Sequence, residues 1–513
     1  MKKYLTFLIF FSVLCTSYLY SIEINGYLEE IEDKTVLRVK GTFQERGYAQ
    51  GYLLADNMLE LMTGYMLPVI YNNNSYLYNQ ARAFFVANFE IEPQYETESQ
   101  AIIEGVIDKG VSTYLPVLGR DLDYIDVLMN CSIVDLIATL AGACSSISSW
   151  GSSTADIPDI SGEQILTRHL DWSSNNALRR NHLITVHFPS EEGLQNWINI
   201  GIAGFISALS AINEHGVGIF YNVGSNHSYI LGDGFQPILF SLRTAIESAD
   251  FNDDGVNNYL DIQDALENCN FISGSIIHTA SILDDNIFPV VFEVNNINGL
   301  AVRTAEDNDL NPAVPDDHLA ATNHFRTLYS PSYCYRYQNI ADSLQVNPLM
   351  TPERSWTMLS GTAGVITNIQ AMQYIPVLRE LKWATTVEAA NQAHSQLPTL
   401  FDIDYLLSYD DSVAIDGQQT INPLPTILIQ NYPNPFNPRT IISFHLPYPT
   451  EVELLFYNLQ GRLILRENQG LLSAGNHIYE WDTSSSGELS SGFYFLQLSS
   501  GNDLHYHKML LLK

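Results

Sequence analysis

Cys144 is the residue of this chain best placed for nucleophilic chemistry. It follows two small residues in Gly142-Ala143-Cys144-Ser145-Ser146, directly after an apolar helical segment. Arg168 and Asp171 lie in the next strand-like run, where buried charges are costly unless they are paired. A cation beside the sulfur would favour the reactive thiolate. A lone cysteine would more simply be a small buried apolar residue, and these charged neighbours favour the nucleophile.

The strand that carries Arg168 and Asp171 imposes a geometric condition. Residues three apart on a flat strand point to opposite faces of a sheet. A bulge or bend near Leu170 is therefore needed if both side chains are to serve one site.

Further motifs follow in a fixed order and extend the pattern beyond the cysteine. They are Gly41-Thr42-Phe43-Gln44-Glu45-Arg46-Gly47 with Gly51, Asn130, Arg168-His169-Leu170-Asp171-Trp172, Asn213-Glu214-His215-Gly216-Val217 leading to Asn222, Thr322-Asn323-His324-Phe325, and Ser332 with Arg336. Together with Cys144-Ser145-Ser146, this set resembles the acyl-coenzyme A:6-aminopenicillanic acid acyltransferase family over about residues 38–410. It is more distantly similar to choloylglycine hydrolases and acid ceramidase, which are also N-terminal-nucleophile hydrolases.

The resemblance implies an α+β fold, a four-layer αββα sandwich, in a precursor that cleaves itself between Ala143 and Cys144. A free α-amine has a reference pKa of about 8 and can serve as the base for its own thiol. The implied catalytic residues are Cys144, Arg168, Asp171, Asn222, Asn323 and Arg336. Asn222 and Asn323 are expected near the developing oxyanion, where one donor is typically worth about 3–4 kcal/mol.

The implied substrate is a small N-acyl amide, whose acyl group passes to water or to an amine, and no cofactor is required. The sequence departs from the family in the insert 154–160, which lengthens the first hairpin, and in Ala143, where glycine is common. Two alternatives stay open. One is a papain-like Cys–His pair using His169, His215 or His324, and the other is a non-catalytic binding protein on the same scaffold.

An acidic segment outside these motifs has the spacing of a calcium-binding loop. Oxygen-bearing side chains recur around a glycine at position 6, as in EF-hand loops. The predicted ligands are Asp250, Asn252, Asp254, Val256, Asn258 and Asp261. Asp261 replaces the bidentate glutamate of the EF-hand, so a solvated acidic loop is the alternative to a structural calcium site.

Apolar periodicity and turn signals divide the chain into five parts. Residues 1–21 read as a secretory signal peptide, with two lysines before a short apolar run. Residues 22–143 are predicted to be a mainly helical propeptide, and 144–413 a catalytic domain of alternating strands and helices. A turn-rich linker, 414–425, precedes short alternating strands in 426–513, which indicate a small β-sandwich.

The C-terminal block begins with the phrase Asn431-Tyr432-Pro433-Asn434-Pro435-Phe436-Asn437-Pro438. With FYNLQGRLI and the closing GFYFLQL, it resembles the sorting domains of type IX secretion. The resemblance implies that the outer-membrane secretion machinery is a partner and that the protein is secreted or held at the cell surface. An ordinary accessory β-sandwich is the alternative.

Composition limits the other classes of function. The formal net charge of −33 disfavours nucleic acid as a partner, because such binding needs a basic surface. The four cysteines after the signal are too scattered for a disulfide framework. No CxxC or HExxH motif is present, so a zinc site is not predicted.

Overall fold

The computed structural model describes most of the chain after the predicted signal. The described residues are 24–136, 143–224, 232, 234–272, 274–284, 286–308, 312–329, 333–362, 368–386, 391–414, 429–432, 434–446, 450–459, 462–473, 475–484, 489–500 and 503–513. The predicted signal peptide 1–21, linker residues 415–425, Gly142, Pro433 and Ser332 lie outside them. Two compact units divide between residues 417 and 418. No helix of the described residues is long and apolar enough to cross a membrane.

The first block contains strands as well as helices. Its elements are β1 (Gly26–Ile31), β2 (Lys34–Gly41), α1 (Phe43–Leu53), α2 (Ala55–Leu61), a π-helix (Met62–Ile70), α3 (Ser75–Asn88), α4 (Pro93–Asp108), β3 (Tyr114–Leu115), β4 (Arg120–Asp121), α5 (Tyr124–Cys131) and α6 (Ile133–Leu136). Helices make up most of this block, and β1 and β2 add a hairpin in which β2 also pairs in parallel with a strand that begins at His182.

The second block alternates strands and helices. Its elements are β5 (Ala143–Ser149), β6 (Ile165–Asp171), α7 (Asn176–Arg180), β7 (His182–Pro189), β8 (Trp197–Ile202), β9 (Ser210–Asn213), β10 (Gly218–Val223), α8 (Ile238–Glu247), α9 (Tyr259–Glu267), β11 (Ser275–Ala280), β12 (Val291–Asn295), β13 (Gly299–Arg303), β14 (His318–Ala321), α10 (Tyr335–Val346), α11 (Pro352–Thr362), β15 (Asn368–Ile375), β16 (Glu380–Thr385), β17 (Thr399–Asp402), α12 (Ile403–Leu406) and α13 (Asp411–Ala414).

Two sheets organise the first compact unit. A nine-stranded sheet has the order β1-β2-β7-β8-β9-β10-β11-β12-β13, and a six-stranded sheet has the order β14-β5-β6-β15-β16-β17. Apolar side chains of both sheets, including Ile200 and Trp383, share one buried cluster. A second cluster joins the nine-stranded sheet to the helices of the first block and to α8 and α9. A third packs α10 and α11 against β5 and β14. The unit is therefore a mixed α/β structure.

Close packing of α1 against α4 explains the glycines near the start of the chain. A Cβ atom added at Gly51 would lie 2.0 Å from the Ile102 carbonyl oxygen, and one at Gly105 would lie 2.3 Å from the Tyr48 carbonyl oxygen. Larger residues would force the helices apart. Thr42 and Glu45 form a capping box that starts α1 directly after strand β2.

The second compact unit consists of strands. They are β18 (Ile429–Tyr432), β19 (Arg439–Leu446), β20 (Thr450–Asn458), β21 (Leu463–Leu472), β22 (Gly475–Asp482), β23 (Gly492–Ser500) and β24 (Asp503–Leu511). They form a three-stranded sheet, β18-β19-β22, and a four-stranded sheet, β21-β20-β23-β24. Phe444 and Trp481 of the first sheet share a core with Phe456 and Leu496 of the second, as in a small β-sandwich.

Candidate active site

Cys144 is the second residue of strand β5, and its side chain is 1% exposed. The backbone register pairs Cys144 with Leu170 and Ala143 with Asp171 on the neighbouring β6. The Cys144 sulfur lies 3.8 Å from Nη2 of Arg168. The predicted nucleophile and the predicted cation are therefore in contact beside the predicted cleavage point.

Arg168 is fully buried, and it forms no salt bridge with a carboxylate among the described residues. Its Nη2 donates to the Tyr221 carbonyl oxygen at 2.6 Å, whereas Nε and Nη1 have no hydrogen-bond partner. Burial lowers the pKa of Arg168, and the Cys144 thiol and Asp171 oppose that shift. A cation held this way is best compensated by a negative charge on the adjacent sulfur.

Asn323 and Arg336 hold the backbone around the nucleophile. The Cys144 amide donates to Asn323 Oδ1 at 2.8 Å, and Arg336 Nη2 donates to the same oxygen at 2.5 Å. Arg336 Nη1 also contacts the Cys144 carbonyl oxygen and donates to Ser145 Oγ at 2.9 Å. These contacts fix the nitrogen that would become the free amine after cleavage.

The two asparagines expected near the oxyanion make other contacts in the uncut chain. Asn323 Nδ2 donates to the Val223 carbonyl oxygen at 2.7 Å, so Asn323 faces Cys144 with its acceptor oxygen. Asn222 Nδ2 donates to Ser146 Oγ at 3.0 Å. Asn222 is absent from the described lining of the cavity beside Cys144. The oxyanion role of both residues stays a prediction.

Asp171 lies beside the predicted cleavage point, since its strand partner is Ala143. Asn368 Nδ2 donates to Asp171 Oδ1 at 3.2 Å, and the buried Oδ2 has no partner. Burial raises the pKa of Asp171 to about 6, although Arg336, Asn368 and Arg168 oppose the shift. Oδ2 of Asp171 is therefore free to accept a hydrogen bond from a cationic group, such as the ammonium that the predicted cleavage would create at Cys144.

No register shift falls at Leu170 between β5 and β6, which pair residue by residue from Ile165 to Asp171, and the irregularity lies in the adjacent strand β15. The register between β6 and β15 shifts between Asn368 and Gln370, opposite Asp171 and Leu170. No hydrogen bond between described atoms joins Asp171 to Cys144. The bulge accompanies a site in which Arg168 contacts the thiol and Asp171 flanks the preceding peptide.

A largely apolar cavity of about 120 Å³ lies against Cys144 and Arg168. The first block contributes much of its wall, including Met58, Met62, Tyr65 and Val127. Sequence reasoning did not identify this contribution, because the contacts bring together residues far apart in the chain. The helical segment before Cys144 is therefore part of the site's walls.

The histidines offered for a papain-like pair do not accompany Cys144. His169 pairs with Ser145 and stacks on His394, and burial lowers its pKa to about 3. His215 is exposed in a turn. His324 instead lies near Cys334: burial alone would raise the pKa of that thiol, but His324 and Thr322 bring it to about 6.

The predicted calcium loop turns back on itself before helix α9. Asp261 accepts backbone N–H groups of Phe251 at 2.7 Å and Asn258 at 2.8 Å. Asn258 in turn caps the helix at Leu260 N. Within the described ranges, no group of three His, Cys, Asp or Glu side chains is arranged to hold a metal ion. Two of the six predicted ligands thus serve the helix start, and calcium binding stays a prediction.

The four cysteines at 131, 144, 269 and 334 are free.

Comparison with solved structures gives only distant similarities. An N-acylethanolamine-hydrolyzing acid amidase ortholog of Caenorhabditis elegans is 17% identical, with a TM-score of 0.33 over 46% of this chain and 94% of that one. A mutant conjugated bile acid hydrolase of Clostridium perfringens is 13% identical, with a TM-score of 0.32 over 52% of this chain and 95% of the other. TM-scores this low do not establish a shared fold. No curated protein matches the chain.

The C-terminal unit gives a family match. Residues 430–512 match the model described as a secretion system C-terminal sorting domain. This match supports secretion to the cell surface or the medium, with the secretion machinery as a partner. The chain thus ends in a secretion system C-terminal sorting domain.

Proposed function

We propose that this chain is an exported, self-processing cysteine N-terminal-nucleophile hydrolase that cleaves a linear amide bond in an N-acyl compound. The observation that carries the proposal is the arrangement at Cys144. Its sulfur contacts Arg168, its backbone nitrogen is held by Asn323, and its side chain faces an apolar cavity. A binding protein has no need for a buried, uncompensated arginine at a thiol.

The layering of the first compact unit supports the four-layer αββα sandwich. Apolar clusters join helices to the nine-stranded sheet, that sheet to the six-stranded sheet, and the latter to α10 and α11. Cys144 is the second residue of a strand of the six-stranded sheet, and the Tyr221 carbonyl that anchors Arg168 belongs to the nine-stranded sheet. The proposed nucleophile therefore lies between the sheets.

Processing would begin when the Cys144 thiolate attacks the Ala143 carbonyl carbon. The C–N bond breaks, the Cys144 nitrogen takes a proton, and the acyl group moves to the sulfur as a thioester. Water then hydrolyses the thioester, leaving a carboxylate on Ala143 and a free thiol. Arg168 would stabilise the thiolate, and we expect the unpartnered Oδ2 of Asp171, the strand partner of Ala143, to receive the new ammonium group.

Turnover would repeat this chemistry on a substrate. The Cys144 α-amine, positioned by Asn323, removes the thiol proton, and the sulfur attacks the substrate's acyl carbon. The amine leaves with a proton, and water releases the acid. An amine in place of water would give acyl transfer. This sequence needs neither a metal nor an organic cofactor.

The decisive experiment compares purified wild-type protein with Cys144→Ala. We expect wild type to give two fragments, the second starting at Cys144, and to release amine from one or more of a panel of N-acyl amides. Cys144→Ala should remain one chain without activity, because both steps use the same sulfur. Cys269→Ala, which removes a different free thiol, should behave as wild type. A processed, active Cys144→Ala protein would contradict the proposal, and an uncut, inactive wild type would favour a binding protein.

A further inference from the structure

Several polar side chains interrupt the apolar wall of the cavity beside Cys144, and two of them, His182 and Gln370, pair with each other. His182 begins β7 in the nine-stranded sheet, and Gln370 lies on β15 in the six-stranded sheet. Both line the cavity, and Gln370 is 1% exposed. Gln370 Nε2 and His182 Nδ1 are 2.8 Å apart, so the two residues form a hydrogen-bonded pair across the sheets.

Each member of this pair retains one atom with no hydrogen-bond partner. These atoms are Gln370 Oε1 and His182 Nε2. Burial lowers the pKa of His182 to about 4, so the imidazole is neutral near pH 7; the Gly201 carbonyl near the ring opposes part of that shift without a hydrogen bond of normal geometry. Buried polar atoms without partners are uncommon in folded proteins and destabilise them.

The two atoms without partners provide the same hydrogen-bonding capacity whichever way the histidine tautomer and the Gln370 amide are assigned. If Gln370 donates to His182, an amide oxygen and an imidazole N–H remain. If His182 donates instead, an amide N–H and an imidazole nitrogen remain. In both cases the two atoms without partners are one donor and one acceptor. A hydroxyl group complements both at once.

The sheet register places this pair relative to the nucleophile. Cys144 pairs with Leu170, and Leu170 pairs with Gln370. Directly paired residues share one face of a sheet, and two strand spacings amount to about 10 Å. Gln370 thus lies on the face of Cys144, two strands away, with apolar side chains around the same cavity.

We propose that His182 and Gln370 form a specificity subsite for a neutral hydroxyl group on an otherwise apolar arm of the substrate. The inference rests on the proposed amide hydrolysis for its link to turnover, but the binding subsite can be tested without turnover. A charged group at this pair is disfavoured, because His182 and Gln370 are neutral and Arg168, the cation of the described cavity wall, lies at the Cys144 sulfur. The one acidic side chain of the cavity wall within the described residues, Asp126, is already paired with Arg82 and Arg120.

The test uses N-acyl amides of one chain length, either plain or with a single hydroxyl at successive carbons. Binding to the uncut Cys144→Ala protein is measured by calorimetry, and kcat/KM is measured with wild type. We expect one hydroxyl position to be preferred over the plain compound by roughly tenfold in affinity. A charged carboxylate at that position should bind more weakly than the plain compound.

Variants then assign the preference to the pair. Gln370→Met and His182→Phe, made separately in the Cys144→Ala background, should each bring the affinity ratio close to one. Gln373→Met is the matched control: this buried glutamine on the same strand bonds Thr167 and Pro352 and is absent from the described cavity wall. It should keep the wild-type ratio.

The possible failures are distinguishable. If no hydroxyl position is preferred in binding, or if the preference survives both variants, the subsite is wrong even when wild type hydrolyses amides. If binding shows the preference but no amide is cleaved, the subsite stands and the proposed hydrolysis fails.

Discussion

Arg168 contacts a thiol, and within the described residues it forms no salt bridge with a carboxylate. Its guanidinium is buried, keeps two nitrogens without partners, and lies 3.8 Å from the Cys144 sulfur. A structural arginine in such a place would normally be paired with a carboxylate, as Arg303 is with Glu293. Arg303 is therefore a suitable control for Arg168, because both arginines are buried and only Arg168 contacts the thiol.

Arg168→Met should slow alkylation of Cys144 near neutral pH. Loss of the cation beside the sulfur should lower the iodoacetamide rate in this part of the pH profile, because the thiolate is the reactive form. Arg303→Met, which removes a buried cation elsewhere, should lower thermal stability without moving the profile. Superimposable profiles for wild type and Arg168→Met would exclude a role for Arg168 at the thiol.

Asp171 makes the stability of the uncut chain depend on pH. Because burial raises its pKa from 3.8 to about 6, the folded chain prefers the protonated carboxyl. The contribution of this preference to the free energy of unfolding is fully present below pH 3.8. It is lost as the pH rises from 3.8 through about 6, and the loss is about 3 kcal/mol at most. In the Cys144→Ala background, Asp171→Asn should remove this loss. Urea unfolding of both proteins between pH 4 and 7.5 measures it, and parallel stability curves would contradict the assignment.

At the scale of elements, a buried ion network ties the first block to the second. Arg243 on α8 contacts Glu98 on α4 at 2.6 Å, and neither side chain is exposed. Glu247 also contacts Arg243, at 3.1 Å. Strand pairing of β2 with β7 adds a backbone connection between the same blocks. The segment before Cys144 should therefore act as a subunit after cleavage.

We expect the two fragments to remain associated after processing. A tag at the end of the second fragment should retain the first on an affinity column in native buffer and release it in denaturant. Glu98→Ala leaves Arg243 less compensated and should lower the free energy of unfolding by roughly 3 kcal/mol. Glu96→Ala, on the same helix but outside this network, is the control. Separation of the fragments in native buffer would contradict the shared core.

The secondary-structure elements explain which parts of the site could be predicted from the sequence and which could not. Cys144 and Arg168 could be selected in advance, because thiols and buried charges are few and chemically specific. Asn323 could be selected only because Thr322-Asn323-His324-Phe325 matches a motif of the family that the sequence resembles. The contacts of these residues could not be predicted, since Asn323 reaches Cys144 only through the register of β14 and β5. The strands β1 and β2 were missed because a short hairpin joins its sheet through β7, far along the chain. The pair of His182 and Gln370 has no local signal, for it forms between different sheets.

At the scale of the whole molecule, the proposed catalytic site and the sorting domain lie in different compact units. The proposed site lies within the unit that ends at residue 417, while the match to a sorting domain covers residues 430–512. Each unit has its own apolar core. The part that directs secretion and the part that would perform hydrolysis should therefore be separable by truncation.

A chain ending at residue 417, produced in a host with type IX secretion, should fold and cleave itself but stay inside the cell envelope. The described residues of the core cluster that holds Cys144 all precede residue 418, so two fragments and amide hydrolysis should match the full chain. Full-length Cys144→Ala supplies the converse control, since it should be uncut yet exported. Culture medium, surface and envelope fractions are compared by immunoblot. Truncated protein in the medium would refute the sorting role, and a folded truncated chain that fails to process would show that the catalytic unit extends beyond residue 417.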